Sequence, residues 1–108
     1  MAKALVVVDS GICGFVTKIT AEMDEEGMVA VTLESDCANC RSLAKEPLVI
    51  DPMTLLRGKA KDNAIFAAAA RHPLHQACPV PIGISKAVEV AAGLALPRDA
   101  TIKVEKVE

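Results

Sequence analysis

Two period-two runs, FVTKITAEM (15–23) and MVAVTLES (28–35), flank the acidic turn DEEG (24–27). In the first run Phe15, Thr17, Ile19, Ala21 and Met23 share one face, and Lys18 and Thr20 share the other. Successive strand side chains point to opposite faces, so such alternation buries one side of a strand and wets the other. Two alternating runs joined by a short polar turn containing Gly make a β-hairpin. A lone hairpin is marginal in water. The remaining chain must therefore supply more strands, or helices to cover the apolar face.

It supplies both. ALVVVD (4–9) is a β-branched run, read as a strand buried on both faces. After the hairpin, SDCANCRSLAKE opens on Ser35 or Asp36 as an N-cap and predicts a short helix from Cys37 to Glu46, stopped by Pro47. DPMTLLRG (51–58) has Asp at the cap, Pro at the first turn and Gly after the end, the marks of one short helix. DNAIFAAAARH (62–72) opens on an Asp cap and stops at Pro73. CPVPIGISKAVEVAAGLALP (78–97) is the longest helix candidate, with Ile84, Ala87, Val88, Ala91 and Leu94 along one face. TIKVEKV (101–107) alternates and predicts a final strand. The expected fold is α+β over one domain, residues 1–108: a small, mostly antiparallel sheet with helices packed on one face.

Composition narrows the function. Hydrophobic residues are 52% of the chain, but Phe15 and Phe66 are its sole aromatics, so the core is aliphatic. Net charge is −2, no basic block exists, and there are almost no rings for bases to stack on, so no nucleic-acid partner is expected. The apolar start is short and meets Asp9, and the late apolar stretch is broken by Glu89 and Pro97. No signal peptide or membrane span is expected, and the cytoplasm is the default location. Ser10 and Ser85 lack a partner pattern for nucleophilic catalysis, and no phosphate-binding glycine loop is present.

In a reducing compartment four cysteines read as metal ligands or reactive thiols rather than a disulfide framework. All four stand at element ends. Cys13 lies at a bend between Gly11 and Gly14. Cys37 and Cys40 share one face of the first turn of a helix, and Cys78 precedes the long helix. First-turn amides and the positive end of a helix dipole stabilise a thiolate. His75, three residues before Cys78, could reach the same ion; His72 reads as a partner for a helix C-terminus. The CxxC of Cys37 and Cys40 lacks the second CxxC of a zinc ribbon and the parallel crossover of a thioredoxin.

The order of CGFVTKI with Cys13, ESDCANCRSLAKE with Cys37 and HQACPVPIGISKAVEVA with Cys78 resembles the IscU/NifU-type iron–sulfur cluster scaffold family over roughly residues 11–94. The resemblance implies an antiparallel sheet backed by helices, with three thiolates and a fourth ligand at one exposed end. Phe15 stands where that family carries an Asp, and His75 is not adjacent to Cys78 as the family's His is. The CGF and ACPVP…GLALP stretches are also similar to a small uncharacterised family of short proteins from anaerobic microbes.

Three functions are expected, in order. The first is a cytosolic metal- or iron–sulfur-cluster-binding protein, a scaffold rather than an enzyme. Cys13, Cys37 and Cys78 would be ligands with Cys40 or His75 as the fourth, iron–sulfur or zinc the cofactor, and a sulfur-donor protein the partner. The second is a thiol redox or sulfur-carrier protein using Cys37 with Cys40 or Cys78. The third is a structural or interaction domain in which the cysteines merely pack.

Overall fold

A computed structural model describes residues 2–108. Four strands form one sheet in chain order: β1 (Lys3–Asp9), β2 (Val16–Met23), β3 (Val29–Ser35) and β4 (Leu48–Ile50). Every pairing is antiparallel. The helices are α1 (Ala38–Ala44), α2 (Met53–Arg57), α3 (Ala64–Ala70) and α4 (Val80–Ala91). The α+β expectation holds, and the hairpin falls where the alternation put it. Its turn is held by Asp24, whose carboxylate accepts from the Glu26 and Met28 amides. The Gly27 φ of 86° is the left-handed backbone that this turn requires.

The inner face carries Ala4, Thr17, Ile19, Ala21, Val29, Val31, Leu48 and Ile50, all buried. Against it α4 lays Val80, Gly83, Ile84, Ala87, Val88 and Ala91. Small residues at 83, 87 and 91 let the helix axis come close to the sheet. A Cβ on Gly83 would stand 2.4 Å from Val8 Cγ2 and 3.1 Å from Ile19 Cδ1. Glycine is required there by contact, not by backbone angle.

Four expectations need correction, and one strand was not expected. β1 is an edge strand, bonded only to β2, and its outer residues Leu5 and Val7 are 66% and 56% exposed; it is buried on one face, not two. An all-β-branched run lacks the alternation that would have shown this. Leu48–Ile50 is a strand that no periodicity announced, because three residues are too few to show one. α4 ends at Ala91, so Leu94 lies beyond it, past the turn at Gly93 (φ 74°). The α3 cap is Asn63, not Asp62, its side chain accepting from the Ile65 and Phe66 amides. Residues Thr101–Val107 form no strand and are exposed throughout.

The α4–sheet contact yields a test. An alanine in place of glycine within a helix gains up to about 1 kcal/mol of propensity. Overpacking against Val8 and Ile19 costs about 1–3 kcal/mol. Gly83→Ala should therefore lower the denaturation midpoint at unchanged slope. Adding Val8→Ala, which removes the clashing methyls, should recover much of the loss. A midpoint at or above that of the parent for Gly83→Ala alone would contradict this packing.

Candidate functional site: a thiol cluster at one end of the sheet

Register brings the cysteine-bearing junctions to a common end. Asp9, the last residue of β1, pairs with Val16, and Thr17 pairs with Ser35 at the end of β3. The Gly11–Cys13 turn and the β3–α1 junction therefore share that end. Gly83, in the first turn of α4, sits against Val8, so Cys78 arrives there too.

The β3–α1 junction is organised by two hydroxyls. Thr17 is the one buried polar residue among those described. Its Oγ1 donates to Ser35 Oγ at 2.8 Å, and Ser35 Oγ accepts the Cys37 amide at 3.1 Å. Ser35 thus fixes the turn that enters α1. Cys37 itself occupies the cap position, with extended backbone (φ −73°, ψ 122°). Arg41 folds back over the junction, its guanidinium donating to the Asp36 carbonyl at 2.6 Å.

The two thiols of the CxxC are driven apart in acidity. As a neutral thiol Cys37 makes no capping hydrogen bond. As a thiolate it is held below the ordinary value of 9.0, first by the Cys40 amide; partial burial opposes this, while the Asn39 amide, the Cys40 thiol and the Arg41 charge add to it. Cys40, only 2% exposed, goes the other way. Burial, then the neighbouring Cys37 charge and thiol, then the Cys78 charge push it up to about 12, against a smaller contribution from the Thr17 hydroxyl. Charge therefore settles on Cys37, half-buried and reachable, while Cys40 is kept as a covered neutral thiol. Cys78 is half-buried against the same core, and its amide donates to the His75 carbonyl at 3.1 Å.

The structure groups Cys37, Cys40 and Cys78. Cys13 is exposed on its own turn, with its sulfur facing the Ser10 carbonyl at 4.0 Å. His75 is exposed. Among the described residues no three His, Cys, Asp or Glu side chains converge closely enough to hold a metal ion. The ligand set implied by the scaffold resemblance is thus not gathered in this geometry.

Sequence reading missed Thr17 as a functional neighbour, although a hydroxyl on the apolar face of an alternating strand was visible. It also missed a second polar cluster. His72 bridges Ser42 Oγ, 2.8 Å from Nδ1, and Glu46 Oε2, 2.7 Å from Nε2; Arg71 Nε donates to Glu46 Oε1 at 3.0 Å. This network ties the end of α3 to α1 across 30 residues of chain, rather than serving as the end-of-helix partner expected of His72. The Arg71 and His72 hydrogen bonds hold the Glu46 carboxyl below its usual range.

Two outcomes follow. Mass-resolved alkylation against pH should show Cys37 reacting with a midpoint below 9.0, and Cys40 resisting until the fold opens or the pH approaches 12. Equal labelling of both would contradict the assignment. Ser35→Ala strands the buried Thr17 hydroxyl and the Cys37 amide, and should cost about 1–3 kcal/mol in chemical denaturation.

No curated protein and no solved structure matches the chain. A family model does, over residues 4–104, which is nearly the whole length. The chain belongs to that family, the family of unknown function DUF6951.

Proposed function

We propose that this protein carries out thiol–disulfide exchange, with Cys37 as the attacking thiolate and Cys40 as the resolving thiol. One observation carries the reading: within a single CxxC, Cys37 stands half-buried at the cap of α1, where helix amides favour its thiolate, while Cys40 is 2% exposed and burial favours its neutral thiol. That is the division of labour the reaction needs.

The steps balance as follows. The Cys37 thiolate attacks one sulfur of a substrate disulfide. A Cys37–substrate S–S bond forms, the substrate S–S bond breaks, and the departing thiolate takes a proton from water. Cys40 then loses its proton and attacks Cys37 Sγ. The Cys37–Cys40 disulfide forms and the second substrate thiolate leaves. Two protein thiols are oxidised and one disulfide is reduced; the reverse sequence oxidises a dithiol.

Electrostatics orders these steps. While Cys37 is charged, its field helps to keep Cys40 protonated. The mixed disulfide abolishes that charge, so Cys40 becomes easier to ionise once there is something to resolve. Burial, the larger effect on Cys40, persists and keeps it from reacting with outside thiols. Shallow, open surface clefts lie beside Asp24–Glu26 and between Asp51 and Asp62, and neither is lined by a cysteine. A disulfide presented on a protein or peptide surface fits a half-buried nucleophile outside any cleft better than an enclosed small molecule does.

Cys37, Cys40 and Cys78 are neighbours without meeting at one point, and the Cys13 turn shares their end of the sheet; this placement suggests a second reading. The protein would bind zinc or an iron–sulfur cluster, fed by a sulfur-donor protein, once the turn moves inward. Iron, sulfide and zinc analysis of anaerobically purified protein separates the two. One site per chain, lost in Cys37→Ser and Cys13→Ser alike, supports the metal reading.

The exchange reading is tested by trapping. With a disulfide-bonded peptide, Cys40→Ser should accumulate a mixed disulfide on Cys37, whereas the parent should turn over and Cys37→Ser should form no adduct. If trapping requires Cys78→Ser instead, Cys78 is the resolving thiol. No adduct on Cys37 in any variant would overturn the proposal.

A further inference from the structure

Residues Thr101–Val107 alternate like a strand yet pair with no strand among the described residues of their own chain. Ile102 and Val104 are 78% and 92% exposed, and every residue from Leu96 to Glu108 is exposed. The molecule is 49 Å long but only 27 × 24 Å across. Isolated apolar side chains on a surface need no explanation, but a seven-residue period-two run without a sheet does.

The sheet has a matching vacancy. Among the described residues β1 bonds only to β2, so the amides and carbonyls of Lys3, Leu5, Val7 and Asp9 line its other edge unpaired. β4, the opposite edge, is three residues long. Neither β1 nor 101–107 contains a proline, so both can make a full ladder. On the inner side of β1, Val6 and Val8 pack against the core but stay partly uncovered.

We propose that Thr101–Val107 of one copy adds antiparallel to the free edge of β1 in a second copy, making a reciprocal strand-exchanged dimer. Setting Val104 opposite Val6 places Ile102 opposite Val8. Both apolar residues then extend the inner face beside the two valines that lack cover. The same register puts Lys103 diagonal to Asp9 and Glu105 diagonal to Lys3 on the outer face, while Lys106 falls opposite Ala4 at the end of the inner face, where its long chain reaches solvent. A one-residue slip would put Lys103 and Glu105 on the inner face. The nine residues between Ala91 and Thr101 can span about 30 Å when extended, enough to leave the parent body. Because each copy gives a strand and receives one, the contact closes at two copies. It also covers the long β1 edge, which would otherwise template uncontrolled pairing.

The test uses the full chain under reducing conditions. Sedimentation equilibrium should give twice the chain mass. A mixture of differently isotope-labelled chains should show contacts between Val104 and Val6 methyls across chains. The even residues of β1 bond toward β2, as the Ser10–Phe15 and Met23–Ala2 hydrogen bonds show, so in this register it is Lys103 and Glu105 whose amides face β1. Glu105→Pro removes one ladder donor and should shift the protein to monomer while its circular dichroism stays that of the folded chain. A parent that is monomeric at spectroscopic concentrations would overturn the proposal. So would Val104–Val6 contacts confined to a single chain, or a dimer that survives Glu105→Pro.

Discussion

The packing of α4 on the inner face of the sheet is the contact on which the rest of this molecule depends. An all-aliphatic core has no large rings to fill gaps between layers, so the layers must come close. Gly83, Ala87 and Ala91 permit this, and Ile84, Val80 and Val88 fill the space between. Losing the Ile84 side chain, which has no solvent exposure, would cost about 2–5 kcal/mol by the usual arithmetic of buried aliphatics. The same contact fixes where α4 begins. It sets the first turn against Val8 and so delivers Cys78 to the end of the sheet where β3 passes into α1.

From that frame the thiol cluster follows by short steps. β2 and β3 are in register so that Thr17 faces Ser35. Their hydroxyls bond, and Ser35 takes the Cys37 amide, which sets the cap position of α1. One turn later Cys40 points into the core beside Leu43, where burial suppresses its ionisation. A surface sulfur and a core sulfur are thereby held three residues apart. The difference in their acidity comes from the fold, since the two residues are chemically identical. The Glu46–His72–Ser42 network braces the far end of α1 against α3, so the short helix that carries both thiols is tied at each end.

Much of this was legible in the sequence because it rests on local patterns. The hairpin follows from period-two alternation around DEEG, and α4 from the spacing of Ile84, Ala87, Val88 and Ala91. Cys37 at the start of a helix follows from SDCANC, although the cap falls on Cys37 itself and not on Ser35 or Asp36. What was not legible depends on distance in the fold. β1 reads as fully buried because Leu5 and Val7 are apolar, and only strand order reveals that it is an edge. β4 is three residues long and exists because β3 has room beside it. Composition marks all four cysteines alike; only register shows that Cys37, Cys40 and Cys78 share a neighbourhood while Cys13 sits apart on its turn. The TIKVEKV run shows the opposite case, a correct local pattern with no strand within its own chain to pair with.

The account turns on whether Cys37 and Cys40 form one redox couple. Equilibrating the protein in buffers of graded reduced-to-oxidised glutathione, then quenching with acid and mapping disulfides by peptide mass, measures this directly. The account predicts a reversible two-electron transition in which Cys37–Cys40 is the disulfide that appears, with glutathione adducts on Cys37 accumulating only in Cys40→Ser. A Cys40 that remains a free thiol across the whole range, with the parent Cys37 ending as a stable glutathione adduct, would contradict it.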